Sequence, residues 1–179
     1  MWNGNSGTLN NNIYRDNSAA NYGGAVYIKG NSTSLTDSEF KNNKASKSGG
    51  AIYWDGISGQ VTKNTFEDSF STSGSGGAIR WNANNGAVTK NSFKNSQASS
   101  GGAIYWEGLN GKLIDNTITK STSTAAGGAV YWNANKAEIT GNSFDGSIST
   151  QDYGGAIYFN GDSSMPKYGR CLASIYTPT

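Results

Sequence analysis

The chain has no histidine, one cysteine, two prolines and two methionines among its 179 residues. Without histidine there is no imidazole to act as a general base near neutral pH or to ligate a metal. The single cysteine, Cys171, can close no internal disulfide and stands outside the regular part of the sequence, so it reads as an incidental thiol. No run of 18 apolar residues is present to cross a membrane as a helix, and Met1-Trp2-Asn3-Gly4-Asn5 lacks the basic and apolar regions of a signal peptide. The expectation is a soluble chain without a membrane span. Charge is scarce as well: 14 basic and 12 acidic residues leave a formal net charge of +2. They are interspersed, with no basic run to track a phosphate backbone, so nucleic acid is not an expected partner.

Apolar residues make up only 35% of the chain, while Gly fills 25 positions and Asn, Ser and Thr most of the rest. A disordered chain shares that poverty, but it is also depleted in aromatic residues and carries more net charge. Here aromatic residues reach 12%. The composition points to an ordered β protein with glycine turns and a polar surface.

The order is visible as a repeat. Gly-Gly-Ala followed by Ile or Val recurs at Gly23, Gly49, Gly76, Gly101, Gly127 and Gly154, at spacings of 26, 27, 25, 26 and 27. Between these motifs lies an apolar residue followed five positions later by a mostly aromatic one: Leu9 and Tyr14, Leu35 and Phe40, Val61 and Phe66, Val88 and Phe93, Leu113 and Ile118, Ile139 and Phe144. The distance from the first Gly to these two positions is constant at 12 and 17 residues. Only the stretch from the aromatic position to the next Gly varies, running 9, 9, 10, 8, 9 and 10 residues. One corner thus absorbs all length changes, as a loop can and a ladder held in register cannot. Helix-pair arrays need longer units richer in helix formers, and hairpin blades need units nearer 40 residues. The predicted fold is all-β: a single-stranded right-handed parallel β-helix (solenoid) of about six coils of 25 to 27 residues, with three short strands per coil, over residues 1–161. Residues 162–179 abandon the repeat and are expected to form an irregular tail or partial cap.

Alternation in Ala51-Ile52-Tyr53-Trp54 places Ile52 and Trp54 on one face and Ala51 and Tyr53 on the other. Ile or Val in every unit marks the first face as interior. Ile28, Trp54, Trp81, Trp106, Trp132 and Phe159 then form an inner column, and Tyr27, Tyr53, Arg80, Tyr105, Tyr131 and Tyr158 an outer one. An inverted face would exchange the two; either way one aromatic stripe faces out. In Val61-Thr62-Lys63-Asn64-Thr65-Phe66, Val61 and Phe66 point inward, and Asn64 is expected where the chain bends, tolerating a left-handed turn and stacking its amide on its column mates. A further polar column, Asn17, Asn43, Ser69, Ser96, Ser121 and Ser147, is read as structural.

Repeated Gly-Gly-Ala-Ile/Val paired with Phe-x-x-Asn resembles the chlamydial polymorphic outer membrane proteins and similar repeats in adhesin-like surface proteins of methanogenic archaea and some protists. The resemblance covers residues 9–161. Six Gly-Gly-Ala motifs match, whereas Phe-x-x-Asn is literal only at Phe40 to Asn43, nearly so at Tyr14 to Asn17, and carries Ser in the Asn position elsewhere. The resemblance implies a secreted or surface-anchored protein acting in adhesion, so an extracellular or cell-surface location.

The candidate ligand-binding site is the outer stripe, Tyr27, Tyr53, Arg80, Tyr105, Tyr131 and Tyr158, with glycans or cell-surface proteins as partners; the competing reading has these residues only clamping the ladder. No catalytic residue, cofactor or metal is assigned. A polysaccharide-active enzyme would need two carboxylates on adjacent coils of one face; Asp37 and Asp115 share a column three coils apart, and Glu67 and Asp68 are expected to point apart and stay solvated. Ice binding through the column Asn10, Thr36, Thr62, Thr89, Ile114 and Thr140 is a third reading. Bare ladder ends also allow end-to-end self-association.

Overall fold

The strands of each unit are too short to pair with one another, so their backbone hydrogen bonds go to the units before and after. The computed structural model describes residues 1–161 and shows this throughout. Ile52–Trp54 pairs in parallel with Val26–Ile28 on one side and Ile79–Trp81 on the other, without register shift. Four parallel six-stranded sheets result. We name them by their contents: the tyrosine sheet (Ile52–Trp54 and its equivalents), the threonine sheet (Gln60–Thr62), the phenylalanine sheet (Thr65–Glu67) and the short sheet (Phe70–Ser71). The first three supply the three strands per coil that the repeat predicts. The short sheet adds a fourth, two-residue pairing beyond them, and the tail or cap expected over 162–179 lies outside the described residues.

Four left-handed residues turn each coil. In the unit that begins at Gly49 they are Gly49, Ser58, Lys63 and Asp68, with φ of 66°, 57°, 57° and 52°. The bend expected at Asn64 is therefore at Lys63, one residue earlier. That turn swings the Asn64 side chain inside, where it is buried. The Gly-Gly pair is needed for close passage: a Cβ on Gly49 would sit 2.2 Å from the Ile52 carbonyl oxygen, and one on Gly50 would sit 2.1 Å from that of Gly77 in the next coil. Ala51 also departs from expectation. It is buried rather than outward, because the strand begins one residue later and Ala51 belongs to the corner, where its N–H and that of Ile52 both donate to the Ala78 carbonyl.

The core consists of columns. The rings of Trp54, Trp81, Trp106 and Trp132 stack with centroids 4.6, 4.8 and 4.5 Å apart and planes within 8°. Phe40, Phe66 and Phe93 stack at 4.7 Å. Such pairs contribute about 0.5–1.5 kcal/mol beyond their burial. Each fully stacked indole also demands a glycine: a Cβ on Gly59, Gly86 or Gly111 would lie 2.4, 2.2 or 2.4 Å from the ring of Trp54, Trp81 or Trp106. The indole Nε1 of these residues donates to the carbonyl oxygen two positions on, at Gly56, Ala83 and Gly108. Where the column instead holds Ile28, the glycine is replaced by Thr33, whose buried Oγ1 donates to the corresponding carbonyl of Gly30 at 3.0 Å. Where Trp132 is kept but the glycine becomes Ala137, the Trp132 Nε1 has no partner among the described residues.

Two polar columns run inside. Asn64, Asn91, Asn116 and Asn142 form an amide ladder in which each Nδ2 donates to the next Oδ1 at 2.9–3.0 Å and each backbone N–H donates to the same oxygen. The other begins as Asn17 Nδ2 to Asn43 Oδ1 at 2.9 Å and continues as serines, whose Oγ atoms at Ser69, Ser96, Ser121 and Ser147 are buried without a partner among the described residues.

Candidate binding faces

In each three-residue strand of the tyrosine sheet only the middle side chain points outward. Parallel register then puts Tyr27, Tyr53, Arg80, Tyr105, Tyr131 and Tyr158 in one continuous column. Trp54, Trp81, Trp106 and Trp132 are fully buried and the tyrosines of the stripe half-exposed, so the assignment of inner and outer stripes holds. The outer rings pack on one another. Tyr105 and Tyr131 stack at 4.6 Å and 4°, Tyr131 and Tyr158 at 4.8 Å and 25°, and the Arg80 guanidinium lies 4.1 Å from the Tyr105 centroid. Tyr27 meets Tyr53 edge-on at 5.0 Å, and Tyr22, from the preceding corner, tilts onto Tyr53 at 4.5 Å. Ring faces between coils are thus turned toward neighbouring rings, and what the column presents to solvent is ring edges and hydroxyls.

A second outward column stands two residues further along each unit: Lys29, Asp55, Asn82, Glu107, Asn133 and Asn160. Sequence reasoning missed it, although a polar residue two positions after the stripe residue of every unit was there to be read. It is bonded to the stripe. Tyr27 Oη donates to Asp55 Oδ2 at 2.6 Å, Asn82 Nδ2 donates to Asp55 Oδ1 at 2.8 Å, and Arg80 reaches Asn82 Oδ1 at 2.7 Å and Glu107 Oε2 at 2.5 Å. Asn160 Nδ2 donates to Asn133 Oδ1 at 2.8 Å. Burial raises the phenol pKa of Tyr53, Tyr105 and Tyr131 above the usual value, and in Tyr27 burial is joined by the bond to Asp55. All four therefore stay neutral hydrogen-bond donors at physiological pH.

Residues 37–53 match the Chlamydia polymorphic membrane protein repeat. The matched stretch runs from the left-handed corner at Asp37 through Phe40 and Asn43 to Gly49-Gly50-Ala51-Ile52-Tyr53, which ends on the tyrosine stripe. The other coils reproduce its geometry, so the chain is a parallel β-solenoid of which one coil matches this repeat. A repeat of this kind points to a surface, adhesin-like repeat protein. No curated protein and no solved structure matches the chain.

On the remaining faces of the polymorphic membrane protein-like coil, charges serve cross-coil pairing. Glu67, expected to stay solvated, pairs with Lys41 at 3.1 Å and Lys94 at 2.8 Å, and hydrogen bonds first from Lys94 and then from Lys41 lower its pKa. Asp68 accepts from Asn95 Nδ2 at 2.6 Å. Arg15 pairs with Glu39, and Lys112 with Glu138. Exposed pairs of this type contribute about 0–1 kcal/mol each; their arrangement still favours the observed register. Asp37 and Asp115 both occupy left-handed corners, three coils apart. In the threonine column Thr62 and Thr89 bond each other through their hydroxyls at 2.9 Å, and Ile114 interrupts the row. Among the described residues no group of three or more His, Cys, Asp or Glu side chains could hold a metal ion, and no helix is long and apolar enough to cross a membrane.

Proposed function

We propose that the chain is a cell-surface or extracellular adhesin-like segment that binds glycans along its tyrosine sheet. The observation that carries this reading is the double column itself: phenol hydroxyls beside a row of amides and carboxylates, repeated coil by coil at the roughly 4.8 Å ladder spacing. Edge-on phenols and amides offer both donors and acceptors to sugar hydroxyls, and repetition along a rigid axis suits a polymer whose residues engage together. Because the ring faces between coils are turned inward on one another, recognition here is by hydrogen bonding at edges more than by stacking.

The test is glycan-array binding by the purified chain, compared with a variant carrying Tyr53→Ser, Tyr105→Ser and Tyr131→Ser. The expected result is loss of binding to the neutral glycans of the array with the β-type circular dichroism retained. An unchanged profile removes the tyrosine face as a binding site, and binding to cell-surface protein fractions without any glycan signal replaces the ligand class.

A further inference from the structure

A second site lies on the short sheet, away from the tyrosine face, and it arises from corner length. Ten residues separate Phe66 from Gly76, eight separate Phe93 from Gly101, and nine separate Ile118 from Gly127. The shortest corner of the array is therefore sandwiched between two longer ones, and the surface steps inward at its level. Thr72, Ser99 and Thr124, each six residues past the aromatic position of its own coil, line the resulting groove of about 300 Å³. That volume is at the lower end of small-ligand sites.

Phe70 faces this groove. It is half-buried, and Lys44 and Gln97 flank it in register on the two neighbouring coils. Three features bear on what the groove can hold. Phe70 stacks on no other ring among the described residues, so unlike the tyrosines its apolar surface is not engaged by another aromatic side chain. Lys44 has no ion pair and the Gln97 amide no side-chain hydrogen bond among the described residues. No carboxylate lines the groove, so its one charge is the Lys44 ammonium. Elsewhere in this column stand Ser18, Thr122 and Ile148, and the combination of ring, cation and amide occurs once.

We infer that this groove binds one anionic pyranose residue of a glycan. The apolar face of the sugar ring packs on Phe70, its carboxylate approaches Lys44, and its hydroxyls bond to the Gln97 amide and the Thr72, Ser99 and Thr124 hydroxyls. An unpaired ammonium facing no acid selects the sign of the ligand, and the exposed part of the Phe70 ring supplies apolar contact area. The inference does not depend on the tyrosine face being a binding surface.

The experiment is an NMR titration of the purified chain with a disaccharide ending in glucuronic acid and, separately, with its methyl ester. The acid is expected to shift the amide signals of Phe70, Gln97 and Ser99, and the ester to bind roughly fivefold more weakly, as for one solvent-exposed charge contact. Lys44→Gln should make acid and ester equal. Phe70→Ser should abolish binding. So should insertion of Ser-Gly after Ser99, which fills the notch at a corner whose length already varies from coil to coil and so leaves the ladder intact. Equal affinity for acid and ester, retention of binding by Phe70→Ser or by the insertion, or no shift at all with either sugar would each overturn the inference.

Discussion

Trp81→Ile lowers stability by about 3 kcal/mol, and adding Gly86→Thr to it recovers up to about 2 kcal/mol of that loss. The reason is a steric exchange inside one coil. Trp81 fills the space over Gly86 so closely that a Cβ there would lie 2.2 Å from the ring. Gly86→Thr alone is therefore severe, because the indole must leave its place between Trp54 and Trp106. Trp81→Ile alone leaves a void over a bare glycine and strips the Ala83 carbonyl of its indole donor. Together the two changes recreate the pair Ile28 and Thr33, in which the Thr methyl fills the void and its hydroxyl replaces the indole N–H. The rescue is incomplete by the two lost stacking contacts, about 0.5–1.5 kcal/mol each. Urea denaturation of the three variants forms a double-mutant cycle, and strongly non-additive values are expected. Additive losses would show that the ring and the glycine do not share one space.

Asn91→Leu is the second large effect, with an expected loss of about 3–5 kcal/mol. The side chain is buried and nearly isosteric, so packing changes little and the cost falls on hydrogen bonds. Asn91 Oδ1 accepts from the Asn64 backbone N–H at 2.8 Å and from Asn64 Nδ2 at 3.0 Å, while its own Nδ2 donates to the Val61 carbonyl at 2.9 Å and to Asn116 Oδ1 at 3.0 Å. Leucine satisfies none of these, and each buried group left without a partner costs about 1–3 kcal/mol. Asn91→Ser should cost only about 1–2 kcal/mol, because the same position in the second coil is Ser38, whose Oγ accepts from the Asn12 N–H at 3.0 Å and donates to the Thr36 carbonyl at 2.8 Å. Urea midpoints rank the two variants. Equal losses would mean that the ladder matters only through volume.

The parts of the fold that repeat at constant spacing were legible in the sequence, because a fixed distance from Gly49 to Val61 and Phe66 can be kept in every unit only if those residues stack. Alternation then fixed Trp54 inside and Tyr53 outside. The parts that failed are those decided at corners. A three-residue strand contains a single alternation, so its end is set by the turn, and Ala51 fell inside although the pattern continued outward past it. The left-handed residues at Lys63 and Lys90 carry no compositional mark, since lysine has no preference for that conformation; Asn64 next door does attract the assignment, and its actual work is the ladder. The packing of tyrosine on tyrosine is a property of ring orientation, which no residue type records. Phe70 was overlooked because it breaks its own column, and repeat reading attends to what recurs.

The core columns, the amide ladder and the outward faces all require corresponding residues of successive coils to stand side by side in parallel. Thr62 and Thr89 are register partners with hydroxyls 2.9 Å apart, on strands at the roughly 4.8 Å spacing that a disulfide can bridge. With Cys171→Ser removing the one native thiol, Thr62→Cys combined with Thr89→Cys should form an intramolecular disulfide under mild oxidation, while Thr62→Cys combined with Ala87→Cys, two residues out of register, should not. Efficient closure of the offset pair, or of neither, would contradict the stacked solenoid and the faces built on it.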